Sequence, residues 1–163
     1  MRNLSFLILI IAFAGCGQTT VTTETIGSSD TVHEDSTDIT SDAYWKDSLS
    51  DHDYQILREN GTERAFTGEY WDYKGKGTFI CKACKLPLFD AKTKYKSGTG
   101  WPRFYTHEGD GVEKETDRSH GMVRDEIHCS RCKGHLGHIF NDGPKPTGLR
   151  YCVNSASLEL KKE

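Results

Sequence analysis

Hydrophobic patterning divides the chain into three regimes. From Leu4 to Phe13 it is almost unbroken apolar, from 17 to 42 it is almost wholly polar, and beyond that apolar residues come in short runs parted by turn formers. In the last regime one stretch has helical spacing. It is DHDYQILRE, residues 51–59, with Ser50 or Asp51 to cap it and Asn60-Gly61 to end it. The runs that follow are GEYWDYKGKGTFIC, KYKSGTGWPRFY, MVRDEIHC, HLGHIFND and GLRYCVNSASLEL. They mix aromatic and β-branched residues with Gly at strand length. Lys74-Gly75-Lys76-Gly77 and Asn141-Asp142-Gly143-Pro144 supply turns. The pattern predicts a mainly β domain of antiparallel strands with a short N-terminal helix.

The first apolar run follows Arg2 and is about half of the ~20 residues that span a bilayer. It therefore reads as a signal peptide. Ala14-Gly15-Cys16 is similar to a bacterial lipobox, with Phe13 where Leu is usual. The resemblance implies cleavage before Cys16, a lipid on that cysteine, and a protein anchored at the membrane in the envelope or periplasmic space of a bacterium. Of residues 17–42, twelve are Ser or Thr and six are acidic, and none is Lys, Arg, Phe, Tyr or Trp. Such a segment cannot bury enough apolar surface to offset its ordering entropy. The expected organisation is a signal peptide over 1–15, a tether over 16–42 and a folded domain over 43–163.

Charge narrows the function. The chain carries −3, but the tether alone holds six acidic side chains, so the domain is nearly neutral, at 20 basic against 18 acidic. No basic field for nucleic acid is present, and a monomer is expected.

Six cysteines carry the chemistry. Cys81-Lys-Ala-Cys84 and Cys129-Ser-Arg-Cys132 share the CxxC spacing, each after a strand-like run. Two such knuckles can present four thiolates tetrahedrally to a structural zinc, leaving no open position for catalysis. Two disulfides are the alternative that export permits, though a bridge within CxxC is usually strained and redox-active. Cys152 then stands alone. Arg150, two residues before it, and Asn154, two after, share its face of a strand, and a nearby cation favours thiolate. His135 and His138 lie just upstream.

GTERAFTGEYWDYKGKGTFICKACKLPLF, SGTGWPRF and HGMVRDEIHCSRCKGHLGHIFNDGPKPTGLRYCVNSASL together resemble the methionine-R-sulfoxide reductase B family over residues 45–160. The resemblance implies two antiparallel sheets, tent-like, around a shallow pocket, with zinc away from it. It implies that Cys152 attacks the sulfur of a methionine-R-sulfoxide in an oxidised protein. His138 would supply the proton, and His135 would help bind or polarise the oxygen. Asp142 and Arg150 would orient the histidines and bias Cys152 toward thiolate, and Asn154 would position groups around the sulfur. Trp101 would pack against the substrate methyl, with Phe140 a further pocket candidate. The product on Cys152 would be a sulfenic acid. Many members resolve it with a cysteine in SGCGWP, where this chain has Thr99, so an external thiol such as thioredoxin is expected to reduce it directly. Arg103 stands where Ser is common; it reads as a solvated side chain, with added positive charge at the pocket rim the alternative. A zinc-ribbon binding module or a CxxC disulfide oxidoreductase shares some of these features. The first would not need a thiol beside an acid, and the second would not keep a full metal complement.

Overall fold

The computed structural model describes residues 38–96, 98–118 and 121–163. The expected signal peptide, Cys16 and most of the expected tether lie outside them. Helix α1 spans Asp42–Lys46 and α2 spans Asp51–Arg58. The Ser50 hydroxyl caps α2 by accepting from the Asp53 amide at 3.1 Å. The chain leaves α2 through Asn60 at φ 54°, a left-handed value that Asn tolerates. Ile56 and Leu57 are its buried residues. No helix among the described residues is long and apolar enough to cross a membrane.

Among the described residues eight strands follow: β1 Thr78–Cys81, β2 Pro87–Asp90, β3 Arg103–Phe104, β4 Val112–Asp117, β5 Arg124–Cys129, β6 His135–Phe140, β7 Arg150–Val153 and β8 Leu158–Lys161. They form two antiparallel sheets, ordered β2-β1-β8 and β3-β7-β6-β5-β4. The sequence pattern misses β2 and β4. β2 starts at a proline, which an edge strand accepts. β4, VEKETD, is the opposite edge and mostly exposed, so it lacks the apolar alternation that marks a half-buried strand.

One face of the five-stranded sheet turns into the core. Phe104, Tyr151, Val153, Ile127 and Cys129 lie there. Phe89 of β2 stacks on Phe104 with ring centroids 4.3 Å apart, and Phe79 of β1 meets Phe104 edge-on at 5.2 Å. All three rings are fully buried. Each contributes on the order of 1.5–3 kcal/mol by leaving water, so these aromatics clamp one sheet to the other.

Residues 38–42, which composition places in the tether, are held against the domain. Trp45 is buried and its Nε1 donates to Ile39 O at 2.7 Å. The Arg58 guanidinium binds Thr40 O and the Asp42 carboxylate, and its Nη1 reaches Cys132 O at 2.7 Å.

A bulge decides how β6 is used. Ile127 faces Gly137 and His128 faces His135, so Leu136 is an extra residue in β6. Strict alternation would place His135 and His138, three apart, on opposite faces. The bulge sends Leu136 into the core and returns His135 to the face that carries His138. Gly137 has φ 149°, and a Cβ there would stand 2.1 Å from Cys152 O. Only glycine lets β6 and β7 approach so closely. Gly137→Ala is therefore expected to destabilise the domain by about 1–3 kcal/mol or more, read as a lower midpoint in denaturant unfolding.

Candidate active site and metal centre

The two CxxC knuckles are built alike. Cys81 N donates to Leu86 O at 2.8 Å and Lys85 N to Cys81 O at 3.0 Å. Cys129 N donates to Gly134 O at 2.9 Å and Lys133 N to Cys129 O at 2.9 Å. Lys85 and Lys133 both take left-handed backbone, φ 62° and 60°. Each turn thus folds its two thiols toward the other knuckle. Cys81 and Cys132 have Sγ atoms 3.7 Å apart, Cys84 and Cys129 3.4 Å, and all four Sγ lie within 4.8 Å of one another. Sulfurs around a tetrahedral zinc at ~2.3 Å stand about 3.8 Å apart, so the cluster could hold that ion. All four cysteines are free of disulfides. Hydrogen bonds within the cluster hold Cys84 well below the ordinary thiol range and Cys132 at about 7, while they push Cys81 and Cys129 up. Four such thiols cannot all ionise without a cation between them.

The outer face of the five-stranded sheet carries a second group of reactive side chains. Cys152 is half-buried in β7, with His138 of β6 opposite it on one side and Arg103 of β3 on the other. Glu126 of β5 lies across from His138. Cys152, His138, Trp101, Phe140 and Asn154 line one cavity of about 180 Å³ together with Thr62, Arg124, Gly137 and Val153. An adjoining cavity of about 300 Å³ holds His135, Glu126 and Asp117, and shares His138, Arg124 and Thr62 with the first.

The sequence-predicted residues fall into different positions around these cavities. Asn154 is buried and its side chain is spent on bracing. Its Oδ1 accepts from Glu63 N at 3.2 Å and its Nδ2 donates to Gly61 O at 3.3 Å. The buried Glu63 carboxylate in turn accepts from Ser155 N and Ala156 N at 2.7 and 3.1 Å. Glu63 O then receives the Trp101 Nε1 proton at 3.1 Å. The exit of β7 thereby fixes the strap 61–63, and the strap fixes the indole at the cavity.

Asp142 does not meet a histidine. It binds Arg150 through two parallel bonds, 2.5 and 2.7 Å, and the guanidinium lies 3.8 Å over the Phe140 ring. The carboxylates that orient the histidines are Glu126 and Asp117. Glu126 Oε1 pairs closely with His135 Nδ1 and sits 2.9 Å from His128 Nε2. This arrangement leaves His135 Nε2 buried with no partner. Asp117 Oδ2 is 3.2 Å from His138 Nε2 and receives Arg124 Nη2 at 2.6 Å. Sequence reasoning missed Glu126, Asp117 and Arg124. The polar alternation of Arg124, Glu126 and His128 was the available signal, but β4 had no strand signature that could have added Asp117.

Burial controls both titrating groups. It lifts the Cys152 thiol above the ordinary value, against the nearby charges and hydrogen bonds of Arg103 and then Arg150. It lowers His138, with Arg124 and His135 adding to the effect and the Asp117 bond opposing it. Burial also raises Glu126, but the His135 hydrogen bond and the charges of His135 and His128 outweigh it and leave the carboxyl below its usual value.

The SelR domain family matches residues 49–162. The chain belongs to the MsrB family. Among proteins named peptide methionine sulfoxide reductase MsrB, it is 59% identical to that of Leptospira interrogans over 124 residues, 76% of this chain and 95% of the relative. It is 58% identical to that of Saccharophagus degradans over 123 residues, 75% and 92% of the two chains. It is 60% identical to that of Thiobacillus denitrificans over 120 residues, 73% and 91%. For an MsrB-family chain, the two groups above are a candidate metal centre and a candidate reaction site.

The metal centre is testable directly. Purified protein is expected to hold one zinc per chain by elemental analysis. Cys84→Ser or Cys132→Ser is expected to lose it and unfold, because metal bound by four thiolates supplies on the order of 10 kcal/mol to small metal-held folds.

Proposed function

We propose that this protein reduces methionine-R-sulfoxide in proteins to methionine, with Cys152 as the nucleophile. The observation that carries the proposal is the cavity in which the Cys152 thiol, the His138 imidazole and the Trp101 indole converge. A thiol with an acid beside it and an apolar wall suits a small polar sulfoxide attached to a methyl group.

Cys152 attacks the sulfoxide sulfur as thiolate, and His138 gives a proton to the oxygen. The net transfer moves oxygen from the substrate to Cys152. Substrate sulfur is reduced by two electrons, Cys152 is oxidised by two to a sulfenic acid, and methionine leaves. His135, fixed by Glu126, lines the adjoining cavity and would help polarise the oxygen. Trp101 and Phe140 exclude water and receive the methyl. Two external thiols, a thioredoxin-like dithiol among them, then return Cys152 to the thiol and yield a disulfide and water. Thr99 offers no sulfur for an internal route, and the cysteines of the knuckles are committed to the metal. Zinc, when bound, is a structural cross-link between the knuckles. The proposal extends to location: residues 1–15 direct export, Cys16 carries lipid, and the domain acts at a bacterial envelope membrane.

Cys152→Ser is expected to abolish turnover of the R epimer while keeping zinc and fold. After one turnover without reductant, the native protein is expected to yield a dimedone adduct on Cys152 and no new internal disulfide by mass spectrometry. Consumption of the S epimer, or activity in Cys152→Ser, would sink the proposal.

The pH profile has a defined shape. The reactive pair is thiolate plus imidazolium. Because Cys152 is raised from 9.0 and His138 lowered from 6.5, that pair is a minor form whose fraction is constant between the two values and falls outside them. The profile of kcat/KM is expected to be a broad plateau, with its acid limb below pH 6.5 and its alkaline limb above pH 9.0. His138→Gln is expected to erase the plateau and the alkaline limb, leaving a rate that climbs with the Cys152 thiolate to above pH 9.0, and to slow turnover by roughly 10²–10⁴-fold.

A further inference from the structure

Arg103 faces Cys152 across the β3–β7 ladder, on the flank opposite His138. Its neighbour Phe104 is locked into the core against Phe89, so alternation directs the Arg103 side chain to the outer face with Cys152. Its main chain is pinned as well, since Arg103 O accepts from Tyr95 N at 3.0 Å. The side chain is half-buried, and its Nε is buried with no hydrogen-bond partner. Among the described residues no carboxylate lies within ion-pair distance of it; Asp142 feels its charge but is bonded to Arg150. A guanidinium taken from water without a counter-ion is costly unless an anion is at hand. The group its cross-strand position offers it is Cys152, whose ionised form its charge favours.

Arg150 shares the face of β7 that carries Cys152, but its charge is largely committed. Two of its nitrogens bind Asp142, and its plane rests on Phe140. The remaining groups that face Cys152 are His138 from β6 and the Tyr95 hydroxyl from the segment before β3, the latter buried and without a hydrogen-bond partner. Of these neighbours, Arg103 is the cation with charge to spare.

We propose that Arg103 is a catalytic residue that holds the Cys152 sulfur as a thiolate through a direct charge-assisted hydrogen bond, from the side away from the proton donor. The division keeps the two tasks from competing. His138 can stay protonated toward the substrate oxygen while Arg103, which never deprotonates, stabilises the sulfur. The proposal rests on Cys152 being the nucleophile, and its test separates the two claims.

The test is the pH dependence of Cys152 alkylation by iodoacetamide in the zinc-loaded full chain, followed by mass spectrometry of the peptide carrying Cys152. Arg103→Met is expected to raise the midpoint by about one pH unit or more, the usual effect of removing an adjacent opposite charge. Arg103→Lys is expected to fall between the two, because it keeps the charge and loses the fork. Arg150→Met is expected to move the midpoint less than Arg103→Met. Zinc content and thermal unfolding identify any variant that fails to fold, and Arg103→Gln then replaces Arg103→Met. Midpoints unchanged in Arg103→Lys and Arg103→Gln, or a larger shift in Arg150→Met, would overturn the assignment. A raised midpoint in Arg103→Met, with no turnover of the R epimer by the native protein, would uphold Arg103 and refute the nucleophilic role of Cys152.

Discussion

The close approach of β6 to β7 at Gly137 is the constraint on which the candidate reaction site depends. With no side chain at 137, the Cys152 carbonyl can stand where a Cβ would be, and the ladder places His138 directly opposite Cys152. Directly opposed residues on one face lie about 4.5–5.5 Å apart, close enough for short side chains to interact. One position further back, the bulge at Leu136 changes the phase of the strand and returns His135 to the same face. Both histidines thereby reach the thiol side of the sheet from a single strand, although their spacing of three would ordinarily separate them.

The electrostatics of the site are a contest between burial and neighbours. Burial drives Cys152 and His138 toward their neutral forms, which suits stability but leaves little of the ionised pair. The surrounding charges offset part of that effect. Arg103 and Arg150 favour the thiolate, Asp117 favours the imidazolium, and Glu126 fixes the ring of His135. Arg124 bridges the system by pairing with Asp117 while lining both cavities. The exposed Asp142 carboxylate contributes by holding Arg150 in a fixed orientation over Phe140, since a water-facing ion pair is a weak source of stability.

The four-cysteine cluster and the candidate reaction site share their supports. β5 carries Glu126 and ends in Cys129, and β6 starts just beyond the second knuckle. Helix α2 lies over that knuckle, where a Cβ on Gly134 would stand 3.0 Å from a Leu57 methyl, and Arg58 at its end binds Cys132 O. An ion held by the four thiols would tie the ends of β1 and β5 together, and the β5–β6 pairing would carry that rigidity to His138. The strap from Gly61 to Glu63 does the same for Trp101 from the other side.

The sequence by itself determined the mainly β class, helix α2 with its Ser50 cap, the paired knuckles and the unpaired thiol. These are local properties: a capping hydroxyl, a turn spacing, the parity of a strand around Cys152. Its motifs also carried the resemblance to a family. The tertiary structure decided which charged residues meet that thiol. Arg103 reads as a solvated side chain until the β3–β7 register places it against Cys152. Asp142 reads as a partner for histidine until its bonds to Arg150 leave that role to Glu126 and Asp117. Edge strand β4, which brings Asp117, has no apolar periodicity because water covers most of it. Cross-strand neighbours come from residues far apart in the chain, and their pairing depends on register, which one extra residue at Leu136 is enough to change.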